Sequence, residues 1–79
     1  MINVKNKRLV KAIGEYVREL RIERGISQEE LANDADIPLS QIGRIERGEN
    51  NPTISTLYVI AQALKVELKV LVDVKLKKN

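Results

Sequence analysis

The chain has 79 residues and a net charge of +3, and it contains neither cysteine nor histidine. This composition excludes disulfide bonds, thiolate chemistry and the usual zinc sites. A chain of this length forms one small domain whose core is only marginally stabilising, and association is a common remedy. We find no signal-peptide pattern and no apolar run near the roughly 20 residues that cross a bilayer, so we expect a cytoplasmic protein without membrane contact.

The charge is unevenly distributed along the sequence. Both ends are basic, whereas residues 25–65 are slightly acidic. This balance favours a polyanionic partner only weakly. The basic residues near the amino terminus either keep the chain soluble, the interpretation we favour, or contact phosphates as an arm; they are Lys5, Lys7, Arg8 and Lys11.

The first two predicted helices span about residues 7–24 and 28–35. In the first, apolar residues recur every three or four positions, as expected for one helical face: Leu9, Ile13, Val17 and Leu20. Gly25 fits the left-handed position that ends a helix. Ser27 and Glu30 have the spacing of a capping box, which predicts where the second helix begins. Its inward residues are Leu31, Ala32 and Ala35.

Two further helices are predicted at about residues 38–47 and 54–64. Pro38 has the fixed φ suited to a first helical position, and Ile42 and Ile45 face inward. Thr53 is a suitable cap for the fourth helix. The predicted inner face of that helix comprises Ile54, Leu57, Ile60, Ala61 and Leu64.

Residues 66–76 alternate between apolar and mostly polar positions. The period of two and the density of valine predict a β-strand. A lone strand leaves backbone groups unpaired, so we expect it to pair with the same strand of a second copy. The alternative is a fifth helix at about 67–72, in which Leu68, Leu71 and Val72 share a face. The expected dimerisation residues are Leu68, Val70, Val72 and Val74.

The segment QEELANDADIPLSQIGRIER, residues 28–47, resembles the helix-turn-helix of the lambda-repressor-like, or Xre, family. The flanking segments RELRIERGISQEELA, RIERGENNPTISTL and IAQAL extend the resemblance over about residues 9–66. It implies a mainly α, four-helix DNA-binding domain. The whole chain, 1–79, is then a single domain with a reader at 9–65 and a dimerisation strand at 66–76.

The sequence departs from the family pattern or from helix propensity at two positions. Asp36 occupies the turn position where the family usually has glycine, and aspartate tolerates the left-handed region better than most residues. Gly43 lies inside the third helix, where glycine costs about 1 kcal/mol relative to alanine. It either allows close approach to DNA or is merely tolerated.

The resemblance also implies roles for individual residues. The third helix would enter the major groove and contact base edges through Leu39, Ser40, Gln41 and Arg44. Phosphates would be held by Ser27, Gln28, Arg47, Asn50, Asn51 and Thr53. Arg21 and Glu46 match an ion pair that joins the first and third helices. Their role would be structural, since a lone buried charge is costly.

We therefore expect a homodimeric, sequence-specific repressor that binds double-stranded DNA at an inverted repeat. The segment ALKVELKVLVDVK resembles the HipB-type antitoxin branch, which implies autoregulation and a HipA-type kinase toxin as partner. The alternatives are a restriction–modification controller or phage-type repressor without a toxin, and a protein-interaction module that does not bind DNA. We expect no enzyme and no cofactor, because the sequence contains no nucleophile motif or glycine-rich phosphate loop.

Overall fold

The structure, a computed structural model, describes residues 6–75. Within this range the chain forms five helices: α1 (Lys7–Glu23), α2 (Gln28–Ala35), α3 (Leu39–Glu46), α4 (Ile54–Ala63) and α5 (Leu68–Val72). Helix α1 packs against α3 and α5, α2 packs against α3 and α4, and α4 packs against α5. The short helices α2 and α3 are thereby held on a frame made by α1 and α4. No helix in 6–75 is long and apolar enough to cross a membrane.

The core is aliphatic and draws on all five helices. Its fully buried larger side chains are Val17, Leu31, Ile42, Ile45, Ile60, Leu64 and Leu71. Most predicted inner faces are confirmed, because the apolar residues at helical spacing are the ones that lose contact with water. The prediction was wrong for Ile54, whose side chain is 67% exposed at the start of α4.

Helices α1 to α4 end with the same backbone arrangement. Each is followed by a residue with positive φ: Gly25 at 66°, Asp36 at 58°, Gly48 at 75° and Lys65 at 61°. At each end the next amide donates to a carbonyl five residues back, as Ile37 N does to Ala32 O at 3.0 Å. This is the Schellman motif, which satisfies carbonyls that the helix leaves open. Asp36 is therefore left-handed as predicted, whereas no sequence pattern indicated the same conformation at Lys65.

The predicted strand at residues 66–76 is wrong over the described part, since residues 68–72 form α5 and Leu76 lies outside the described residues. Alternation would turn Leu71 away from the apolar side, but Leu71 is completely buried. Leu68 and Val74 pack against the same core from partly buried positions. Helix α5 and the residues after it thus place these side chains on the core within one copy of the chain. The helix also satisfies backbone groups locally, as in the bond from Val70 N to Glu67 O at 2.9 Å. The fifth-helix alternative is the one that forms.

Candidate nucleic-acid interface

The turn between α2 and α3 is defined by local chemistry at both helix ends. The capping box at the start of α2 is present as predicted: the Ser27 hydroxyl accepts from Glu30 N at 3.0 Å, and the Glu30 carboxylate accepts from Ser27 N at 2.9 Å. At the other end, the left-handed Asp36 reverses the chain. Pro38 precedes α3 in an extended conformation, as its N-cap rather than its first residue. The two helices therefore meet at a turn of only three residues.

Helix α3 has one buried and one exposed side. Ile42 and Ile45 lie in the core, and their burial fixes the rotation of the helix about its axis. The opposite side carries Leu39, Ser40 and Arg44, all exposed, with Gln41 half-buried at its edge. The four residues for which the family resemblance implies contacts with base edges thus belong to one short helix, and three of them are exposed to water.

A buried carboxylate joins three helices behind this surface. The Glu46 side chain is only 3% exposed. It accepts from Arg21 Nε at 2.7 Å and Arg21 Nη2 at 3.0 Å, and from Gln28 Nε2 at 2.9 Å. Arg21 Nη1 also donates to the carbonyl of Ile26 at 3.0 Å. The hydrogen bond to Glu46 raises the pKa of Arg21 above its usual value. This network ties α1, α2 and the end of α3 together, so it positions the exposed face of α3.

Gln28 has a different environment from the one expected of a phosphate ligand. It is half-buried, and its amide nitrogen is engaged with Glu46. The hydroxyls of Ser27 and Thr53 both cap helices, α2 and α4 respectively. The hydroxyl of Thr53 accepts from Thr56 N at 3.1 Å. These side chains thus hold the two helix starts in shape, and they leave the first-turn amides as the groups that can face an anion.

The remaining predicted phosphate ligands lie at and after the end of α3. Arg47 is exposed, and its Nε donates to Glu49 Oε2 at 2.8 Å. Asn50 is half-buried and Asn51 is exposed in the loop that leads to α4. The structure thus gathers the predicted phosphate ligands near two helix starts and one helix end. The pairing of Arg47 with Glu49 had no counterpart in the sequence prediction.

A second feature that the sequence prediction missed is the approach of α1 to α3 at Gly14. This glycine is buried in the middle of α1, and a β-carbon there would overlap the carbonyl oxygen of Ile45. The only hint in the sequence was an unexplained glycine inside a helical pattern. Gly14 therefore permits the close helix crossing that supports the end of α3.

The four predicted dimerisation residues do not form one exposed row. Leu68, Val70 and Val74 are half-buried, and only Val72 is exposed, at 42%. Val72 instead lines a shallow apolar depression that also includes Ile54 and Pro52. One exposed apolar patch therefore joins the start of α4 to the end of α5.

The fold and the position of α3 define a helix-turn-helix domain. Residues 17–71 match the family model "Helix-turn-helix" (HTH_3). The chain belongs to this family of Xre-type DNA-binding transcriptional regulators.

Three similar proteins are matched over most of their length. It is 41% identical over 56 residues to the uncharacterized HTH-type transcriptional regulator y4dJ of Sinorhizobium fredii, covering 71% of this chain and 73% of that protein. It resembles the crystal structure of the restriction–modification controller protein C.AhdI from Aeromonas hydrophila with a TM-score of 0.75 and 40% identity, covering 80% of this chain and 94% of that one. A mutant of the controller protein C.Esp1396I bound to its highest affinity operator site OM matches with a TM-score of 0.76 and 31% identity, over 81% of this chain and 84% of that one.

Proposed function

We propose that this chain is a sequence-specific repressor that inserts α3 into the major groove of operator DNA. The observation that carries the proposal is an exposed polar face on a helix that a buried ion pair holds in place. Arg44 can donate two hydrogen bonds to guanine, and Gln41 can pair in the same way with adenine. Ser40 can contact several bases, and Leu39 can pack against a thymine methyl group. Because Ile42 and Ile45 fix the rotation of α3, these side chains keep a constant register.

Phosphate contacts would set the depth and angle of the helix. The first-turn amides of α2 and α4 are suited to phosphate oxygens, because helix starts carry partial positive charge. Asn50 and Asn51 supply neutral amides between α3 and α4, and Arg47 supplies a cation. This arrangement explains how a domain with an acidic middle segment can bind DNA: its donors are helix ends and amides rather than a cluster of lysines.

The proposal includes a homodimer formed through the apolar surface around Ile54 and Val72. Both side chains are exposed apolar groups, and burial against a second copy would remove them from water. A two-fold dimer matches an inverted repeat, with half-sites about one helical turn, or roughly 34 Å, apart. The interface proposed here is made by helices and differs from the strand pair that the sequence predicted.

Among operator-binding regulators, we favour a restriction–modification controller type without a toxin partner. Support comes from the similarity to two controller proteins over most of their length. The antitoxin interpretation depended on a carboxyl-terminal strand, and residues 68–72 form a helix. A HipA-type kinase is therefore not part of the proposal. Acting on DNA would place the protein in the cytoplasm, and the proposal assigns it no catalytic activity.

Binding of DNA at different salt concentrations tests this function. Affinity for a duplex should fall with a log–log slope of about −0.9 for each phosphate that the protein neutralises. Replacing Arg44 by alanine should reduce discrimination between the operator and a scrambled duplex by about 1–3 kcal/mol. Lys69→Ala, which removes an exposed cation on α5, is the matched control and should leave discrimination unchanged. Equal affinity of the unaltered protein for both duplexes refutes sequence-specific recognition, and absence of any duplex binding favours the protein-interaction alternative.

A further inference from the structure

Arg47 and Glu49 form a two-pronged contact on the surface at the end of α3. Arg47 Nε lies 2.8 Å from Glu49 Oε2, and Arg47 Nη2 lies 3.3 Å from Glu49 Oε1. Both carboxylate oxygens are thus directed at one edge of the guanidinium. This is the geometry in which arginine binds a carboxylate or a phosphate. Glu49 therefore occupies the edge of Arg47 that is best suited to a phosphate group.

Gly43 provides the space in which this guanidinium lies. A β-carbon at Gly43 would be 3.0 Å from Arg47 Nη1 and 3.8 Å from Cζ. Gly43 precedes Arg47 by one helical turn, so the arginine side chain folds back over the surface of α3. The two interpretations of Gly43 from the sequence, close approach to DNA and simple tolerance, did not include this contact with Arg47.

The Glu49 carboxylate also lies in the field of Arg44, the arginine inside α3. Its backbone amide donates to the carbonyl of Arg44 at 2.8 Å, which holds residue 49 against the last turn of the helix. The hydrogen bond from Arg47 is the main cause of a lowered pKa at Glu49, and the charges of Arg47 and Arg44 lower it further. Glu49 is therefore ionised at neutral pH and opposes the positive charge of the face that would meet DNA.

We propose that Glu49 masks Arg47 by taking the place of a DNA phosphate, with Gly43 providing the seat for the masked guanidinium. This inference rests on the proposed DNA-binding function and adds a control on its strength. While the mask is in place, one cation fewer is available to phosphates. Binding should then depend less steeply on salt than the number of cations on this face implies.

The first test compares Glu49→Gln with the unaltered protein on one 20-base-pair duplex. The variant should bind more tightly at low salt, and its log–log salt slope should be steeper by about 0.9, the value for one phosphate contact. Between 50 and 200 mM salt, its advantage in affinity should shrink about 3.5-fold, which is that slope difference applied to a fourfold change in salt. An unchanged slope or weaker binding overturns the proposal.

Two controls separate masking from a simple change of charge. Glu67→Gln removes the same charge from an exposed residue at the start of α5, where Lys69 Nζ lies 3.9 Å away, and should change the slope little. In an Arg47→Ala background, Glu49→Gln should have no greater effect than Glu67→Gln. If its full effect persists there, Glu49 acts on DNA through its own charge and the masking model is wrong.

A measurement without DNA distinguishes failure of this inference from failure of the proposed function. The pKa of the Glu49 carboxyl, followed by NMR titration, should lie below the usual value for glutamate and should rise in Arg47→Ala. Equal pKa values in the two proteins overturn the mask, whatever the DNA results. A lowered pKa in a protein that binds no duplex supports the ion pair and refutes the proposed function alone.

Discussion

Removal of Arg21 should destabilise the domain far more than removal of any exposed arginine. Arg21 supplies two of the three hydrogen bonds made to the Glu46 carboxylate, at 2.7 and 3.0 Å, and one to the Ile26 carbonyl. In Arg21→Met, a carboxylate that is 3% exposed keeps only Gln28 as a partner. Breaking a buried pair from one side costs about 3–5 kcal/mol. Because the Arg21 side chain is itself 12% exposed, we expect the lower end, about 3 kcal/mol.

Urea unfolding followed by circular dichroism measures this loss. With an m-value of about 1 kcal/mol/M, the midpoint should fall by about 3 M. The matched control is Arg24→Met, because Arg24 pairs with no buried carboxylate. It donates to the carbonyl of Leu20 at 3.3 Å and lies 4.0 Å from Glu23, so its removal should cost no more than about 1 kcal/mol. The double variant Arg21→Met, Glu46→Leu removes both charges and should recover most of the loss. A loss below about 1 kcal/mol in Arg21→Met would show that Glu46 is not held as described.

Three other substitutions test packing, backbone strain and association. Gly14→Ala should lower the free energy of unfolding by about 2 kcal/mol, since overlap of the new methyl group with the Ile45 carbonyl outweighs the helix-propensity gain of about 1 kcal/mol. A higher melting temperature would contradict the close approach of α1 to α3 at this residue. Lys65→Gly should raise the free energy of unfolding in urea by about 0.5–1 kcal/mol, because glycine adopts the positive φ of 61° without strain. A lower free energy of unfolding would mean that the lysine side chain stabilises the protein by more than the backbone strain costs. Val72→Lys and Ile54→Lys should each weaken self-association at least about tenfold in sedimentation equilibrium, because each places a charge in an apolar interface. A dimer dissociation constant equal to that of the unaltered protein would exclude this surface as the dimer interface.

Local signals predicted the helical reader well. Ser27 and Thr53 begin helices because their hydroxyls satisfy first-turn amides, and that chemistry can be read from three or four neighbouring residues. The turn at Asp36 was equally local. Arg21 and Glu46 are far apart in sequence, and their pairing was anticipated only from the family resemblance.

The carboxyl-terminal segment was mispredicted because two patterns share the same residues. Alternation in 66–76 fits a strand, but Leu68, Leu71 and Val72 also fit one turn of helix. Tertiary packing decides between the strand and the helix. The helix places Leu71 in the core of its own chain, so no second chain is needed to bury it. The β-propensity of single residues contains no information about the space available in the core.

Other features depended on contacts that sequence patterns do not contain. Gly14 is unremarkable until the backbone of Ile45 is seen beside it. Glu49 reads as an ordinary loop residue, and only the path of the chain after α3 brings its carboxylate to Arg47. Ile54 was assigned inward from helical spacing, but the first turn of α4 extends beyond the core.

Selection from a random pool of duplexes shows whether paired copies of α3 recognise a specific DNA sequence. We expect enrichment of an inverted repeat whose half-sites are centred about 10 base pairs apart. With Arg44→Ala, the base preference at the enriched positions of each half-site should weaken. Recovery of a pool with no enriched sequence, under salt conditions in which the protein binds duplex, would refute sequence-specific recognition by α3.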